Sequence, residues 1–178
     1  MRITAAFLVL TCLGLGTGVA QTKQSAEIGT SFGVTVLSRS GTSSLTAIGI
    51  PAGVGAAVQP SIYATIFATP SVIVEPQVSF SSLSSGGSSV TTVDLGAQVG
   101  YLFAPGARNS AYVAANGAFQ SLSDGTSFSG FGVGGAVGYR MRVGSGFAVR
   151  LEARYRHWLG DFDGINEIGF GIGLGGIL

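Results

Sequence analysis

Residues 150–158, "RLEARYRHW", place four basic side chains and one acid in nine positions of a chain that is only 10% charged. The charges alternate with apolar residues. On an extended strand, successive side chains point to opposite faces. Arg150, Glu152, Arg154 and Arg156 then share one face, while Leu151, Ala153, Tyr155 and His157 share the other. What each face meets decides the fold.

The chain has 178 residues, the size of one domain. It carries 30 Gly, and its mean hydropathy is +0.51. Beyond the first twenty residues, no apolar run approaches the ~20 residues that a membrane-spanning helix needs. The hydrophobicity is distributed through alternating stretches, the signature of a transmembrane barrel. A soluble β-sandwich or lipid-binding barrel is the alternative reading.

The first 20 residues read as a cleaved signal peptide. Arg2 supplies the positive n-region, Ile3 to Leu13 the apolar core, and Gly18-Val19-Ala20 the small-residue cleavage site. The mature chain is expected to begin at Gln21. It then loses Cys12, the one cysteine, and with it disulfide and thiol chemistry. It also loses Arg2, which leaves eight Lys and Arg against eight Asp and Glu (from nine and eight in the whole chain). A neutral chain argues against nucleic acid as a partner.

The mature region, 21–178, divides into alternating runs bounded by turn residues. These are 25–38, 61–68, 71–83, 89–103, 110–122, 128–143, 147–158 and 166–178. Many reach the roughly 9–11 residues that a tilted membrane strand requires. The fold expected is all-β: an eight-stranded antiparallel up-and-down transmembrane β-barrel. Bacterial barrels have an even strand number and short periplasmic turns. Gly144-Ser145-Gly146, residues 104–109 and Thr69-Pro70 fall on the short-turn side. Residues 159–165, 123–126, 84–88 and a long first external loop at 39–56 fall on the other. Residues 44–50 are expected to extend that loop as a small hairpin. A ten-stranded barrel is the alternative.

Two faces recur along the strands. In 93–103, Val93, Leu95, Ala97, Val99, Tyr101 and Phe103 oppose Asp94, Gly96, Gln98 and Gly100. In the last strand, Ile168, Phe170, Ile172 and Leu174 oppose Glu167, Gly169, Gly171, Gly173 and Gly175. Alternation alone does not say which face is outside. Glycine on the polar face suits a crowded lumen. Tyr101, Phe103, Tyr139 and Phe147 sit near the short turns, where an interfacial aromatic girdle belongs. The arginines of 150–156 therefore point inward, because an Arg facing lipid at mid-depth costs about 2–4 kcal/mol. Gly132, Gly134, Ala136 and Gly138 on one flank, and Gly169 to Gly175 on the other, leave room for them. A lumen charge network is expected from Glu75, Asp94, Arg140, Arg150, Glu152, Arg154 and Arg156. Glu75 matches Arg150 in height, Asp94 matches Arg154, and Glu152 shares the ladder.

With its signal peptide, strand alternation and final block "GYRMRVGSGFAVRLEARYRHWLGDFDGINEIGFGIGLGGIL", residues 138–178, the chain resembles the small outer-membrane β-barrel family of the OmpA-barrel and OmpX type. The pattern covers the mature chain, and the motif its last forty or so residues. The resemblance implies a Gram-negative, porin-like outer-membrane protein. Its implied partners are outer-membrane lipid and the barrel-assembly machinery, with surface ligands met through the external loops. It is expected to be a monomer. Many members end in an aromatic residue, whereas this chain ends in Leu178.

Catalytic signals are weak. A lipid A deacylase barrel uses a membrane-facing His and Ser with an acid. His157 is the one histidine, and residue 159 is Leu rather than Ser, so it reads as a rim histidine. Asp161 and Asp163 lack the other ligands of a calcium loop. Gly130, Gly132, Gly134 and Gly135 lie within a strand that no helix follows, so they form no phosphate loop. No cofactor or metal is expected. The function expected is a structural or surface-interaction barrel with a side-chain-filled lumen. A narrow pore for small or hydrophobic solutes is the first alternative, and a lipid-modifying enzyme the second.

Overall fold

The computed structural model describes residues 26–39, 45–49, 61–85 and 88–178. The expected signal peptide and the start at Gln21 lie outside these residues, as do 40–44 and 50–56 of the expected first loop. The described strands are β1 (Ala26–Arg39), β2 (Leu45–Gly49), β3 (Ser61–Phe67), β4 (Val72–Ser85), β5 (Ser88–Leu102), β6 (Asn109–Ser123), β7 (Ser127–Val143), β8 (Phe147–Gly160) and β9 (Ile165–Ile177).

From β3 to β9 each strand pairs antiparallel with the next, and β9 returns to β1 through an unbroken register from Glu27↔Ile177 to Arg39↔Ile165. The sheet is thus a closed eight-stranded up-and-down barrel, with no exposed edge at the β1–β9 seam. The second wall position is shared. Along one edge of β1, β3 pairs with the lower half (Ala26↔Ile66 to Ser31↔Ser61) and β2 with the upper half (Gly33↔Gly49 to Leu37↔Leu45). Residues 45–49 therefore form the upper part of the second wall position, paired with β1 above β3. The β3–β4 ladder is also interrupted, between Tyr63↔Gln77 and Ile66↔Val74. Pro76 falls in that gap and has no N–H to give.

The connections sort into two ends. Residues 68–71, 103–108 and 144–146 turn at one end, and 124–126 and 161–164 at the other. Gly144 (φ 69°) and Gly125 (φ 87°) occupy left-handed backbone that a side chain would strain.

Burial is the reverse of a soluble domain's. Phe170 is 57% exposed and Val99 54%, whereas Glu75 and Glu167 are 0% exposed. The apolar face points outward through every full-length strand, and this is stable only where hydrocarbon replaces water as the solvent. Tyr101, Phe103, Tyr139 and Phe147 ring the lower end of this wall, with Tyr101 and Phe103 packed edge to face. Phe80, Phe119, Phe131 and Tyr155 ring the wall nearer the other end.

Candidate functional site: the barrel lumen

The inward face is a stack of side chains in contact. Near the short turns, Arg140 on β7 meets Glu27 on β1, with Nε 2.9 Å and Nη2 2.8 Å from Oε2. The Tyr63 hydroxyl donates to the same carboxylate at 3.2 Å, and the Arg140 guanidinium lies 5.3 Å from the centre of the Phe67 ring.

Glu75 is the centre of the middle tier. It pairs with Arg150, and it accepts hydrogen bonds from Thr65, from Gln77 (2.8 Å) and from Gln98 (2.8 Å). Arg150 also lies 3.8 Å from Glu152 and stacks over Tyr63 at 4.3 Å. Glu152 accepts from the Tyr112 hydroxyl at 2.6 Å and from Gln98 at 3.3 Å. A buried carboxylate is tolerated when each oxygen is paired or hydrogen-bonded, and Glu75 meets that condition on both.

The upper tier gathers on Glu167. Arg154 lies 3.2 Å from it, Arg156 3.9 Å, and the Trp158 indole N–H donates to it at 3.0 Å. Arg156 also donates to Asn116 at 3.1 Å.

Six of the seven residues expected in the charge network stand in these three tiers. Asp94 is the departure. It faces inward and is buried, but it makes no ion pair among the described residues, and its Oδ2 has no hydrogen-bond partner. Arg154, expected opposite Asp94, is taken instead by Glu167 on the adjoining strand. Glu27, Glu167, Tyr63, Tyr112 and Trp158 complete the network, and sequence reasoning had not assigned them to it.

Two apolar clusters complete the filling. Ile73, Leu102, Tyr112, Ala114 and Ala136 form a buried cluster low on the β4–β7 wall, with Phe67 against it. At the other end, Trp158, Phe162 and Ala118 pack together, with Leu122 and Ile165 alongside. Phe162 comes from the turn between β8 and β9 and meets Trp158 edge to face at 6.0 Å. Glycines make this filling possible. A Cβ at Gly138 would overlap the Tyr112 ring, one at Gly132 would sit 3.1 Å from the Trp158 indole, and one at Gly169 would sit 3.0 Å from Arg154. Between Ser31, Gln77, Arg150, Glu152 and Arg154 a cavity of ≈ 10 Å³ is left, about the volume a single water occupies (~10–15 Å³).

His157 lies outside this stack, on the outer wall, with Nδ1 2.9 Å from the side-chain oxygen of Asn166. Asp161 accepts from the backbone N–H of Ser129 at 2.7 Å. Among the described residues no group of three potential metal ligands occurs.

Comparison with known proteins places this geometry. The sequence model described as "Outer membrane protein beta-barrel domain" matches residues 5–175. Curated protein sequences give no significant match. Among solved structures, the fold is similar to that of Neisserial surface protein A, with a TM-score of 0.66 at 13% identity over 86% of this chain and 97% of that one. It is also similar to outer membrane protein OprG from Pseudomonas aeruginosa, with a TM-score of 0.54 at 10% identity over 87% and 96% of the two chains. The attachment invasion locus protein of Yersinia pestis gives a TM-score of 0.50 at 11% identity over 86% and 99%. At these identities the likeness is one of fold.

Proposed function

The chain belongs to the outer membrane protein β-barrel family, and from that premise we propose that it is a closed barrel with a structural or surface-contact role. Family membership implies the outer membrane as its location. The observation that carries the closed reading is the filled lumen: three tiers of paired charges with two apolar clusters packed among them. An eight-stranded barrel has an interior just wide enough for side chains to fill it. With the interior so used, the surfaces left for recognition are the outer wall and the external turns.

The outer wall takes lipid as its partner, and insertion is assigned to the barrel-assembly machinery. The protein is assigned as a monomer, with the outward face of each full-length strand given to lipid. Two of the similar structures carry names that speak of a surface protein and of attachment and invasion. For this chain, surface contact is assigned to the external turns, where Ser123–Ser127 and Asp161–Gly164 are polar. No catalytic role is assigned, because the hydrogen-bond partner of His157 is Asn166 rather than a nucleophile.

Planar-bilayer recording of the purified monomer tests the reading. Silence, or brief small openings, is the expected result. Stable, large unitary conductance would overturn it in favour of the narrow pore.

A further inference from the structure

Most outward residues near the external girdle are apolar or aromatic, as at Phe80, Phe119, Phe131 and Ile168. Across β8 and β9 a different set appears. His157 and Asn166 are cross-strand partners, and Tyr155 is next on the same face. The Tyr155 hydroxyl donates to Asn166 Oδ1 at 2.7 Å, and His157 Nδ1 lies 2.9 Å from the same oxygen. Oδ1 has no hydrogen, so Nδ1 carries the ring proton, and in the neutral ring Nε2 is a bare acceptor. Asn166 keeps its Nδ2 group as a donor. Among the described residues neither Nε2 nor Nδ2 has a partner. The Tyr155 ring beside them is 47% exposed.

Polar side chains on a lipid-facing wall are costly, and they mark function by default. Here the three are already locked to each other, which fixes the direction of the two free valences. One is an acceptor and the other a donor, on cross-strand neighbours. A phosphodiester can only accept hydrogen bonds, and a choline group offers neither donor nor acceptor. A hydroxyl both donates and accepts. The C–H face of a sugar ring also packs on an exposed aromatic ring. In the adjoining turn Asp161 and Asp163 outnumber the nearby Arg39, and this disfavours an anionic headgroup.

We propose that Tyr155, His157 and Asn166 form a headgroup site on the outer wall that takes the hydroxyl-bearing sugar of an outer-leaflet glycolipid. The proposal rests on that wall facing lipid and is independent of whether the lumen conducts.

His157 is the one histidine, so untagged protein in micelles gives a single set of imidazole resonances. These are followed by NMR during three titrations with chain-matched lipids. One lipid has an unphosphorylated diglucosamine head, one is a phosphatidylmethanol, an anionic phosphodiester without a hydroxyl, and one a phosphatidylcholine. The expected result is a saturable shift with the first and none with the other two. In Asn166→Leu, whose assembly is checked by heat-modifiable gel migration, the titration midpoint should rise about tenfold, as expected for a lost hydrogen bond of about 1.4 kcal/mol. No shift with the glycolipid, or an equal shift with either phospholipid, overturns the proposal. Should Asn166→Leu fail to assemble, the three titrations of the unsubstituted protein decide alone.

Discussion

Replacing Glu75 by alanine removes the carboxylate on which the middle of the lumen converges. Glu75 is fully buried, and its partner Arg150 is 4% exposed. Removing one member of a buried pair costs about 3–5 kcal/mol, because the other charge is left without compensation. Two local features set where Glu75→Ala falls in that range. Arg150 retains Glu152 at 3.8 Å, which lowers the cost. Thr65 and Gln77 lose the acceptor they share, which raises it; Gln98 keeps a contact with Glu152. The two corrections are of similar size, so about 3–4 kcal/mol is expected. At a urea dependence of about 2 kcal/mol per molar, the unfolding midpoint falls by about 1.5–2 M. Trp158 is the one tryptophan and lies fully buried in the upper lumen, so its fluorescence reports the transition. Glu75→Ala combined with Arg150→Leu should recover much of the loss, because no charge is then stranded. A midpoint for Glu75→Ala equal to that of the unsubstituted protein would refute the reasoning: it would mean that water screens the lumen and the pair is not desolvated.

Leu151→Arg should block assembly, judged by heat-modifiable gel migration, far more than Arg154→Leu, since the first costs about 2–4 kcal/mol of lipid exposure and the second leaves Glu167 with Arg156 and Trp158. Equal assembly of the two would reverse the inside and outside assignment. Gly138→Val should lower the unfolding midpoint because its side chain collides with Tyr112, and the loss should shrink when Tyr112→Ala is added. Phe162→Ala should raise acrylamide quenching of Trp158 severalfold by uncovering the upper cluster; unchanged quenching would show that Phe162 does not seal that end. N-terminal sequencing of the exported protein should read from Gln21, and recovery of Met1 would remove the signal-peptide assignment.

The wall was legible in the sequence because lipid imposes a single rule on it. Outward positions at mid-depth must be apolar, so 93–103 and 168–174 alternate cleanly, and the arginines of 150–156 have only one place to go. The split second wall position was not legible. Residues 45–49 carry too short an alternation to show that they continue the line of β3 across an eleven-residue interval, and only the two registers on β1 reveal it. The inward aromatics were hidden for a different reason. Hydropathy assigns Tyr and Trp to the girdles, yet Tyr63, Tyr112 and Trp158 fill the lumen, each with its polar end on a carboxylate: Glu27, Glu152 and Glu167. Their signal lay in the glycines of neighbouring strands, since Gly132 and Gly138 are the floors on which Trp158 and Tyr112 rest.

Asp94 shows where counted height stops short: it stands within electrostatic reach of Arg156 and Arg154 but pairs with neither. Counting residues up from a turn treats strands as vertical and level, but barrel strands tilt by about 35–45° and stagger in register. Neighbours on adjoining strands keep a fixed relation under that stagger, whereas residues on opposite walls drift apart. Arg156↔Glu167 is a cross-strand pair set by register, so Glu167 was the partner that geometry guaranteed to this part of the ladder. With Glu167 already compensating two arginines, Asp94 on the far wall had no cation left to claim at contact distance. Its cross-strand partner is Gln120, also buried and with both amide atoms unpaired. A direct hydrogen bond between Gln120 and Asp94 is not made, so water is the simplest group able to satisfy both. Asp94→Leu with Gln120→Leu strands no ion-pair partner and should be tolerated far better than Glu75→Ala.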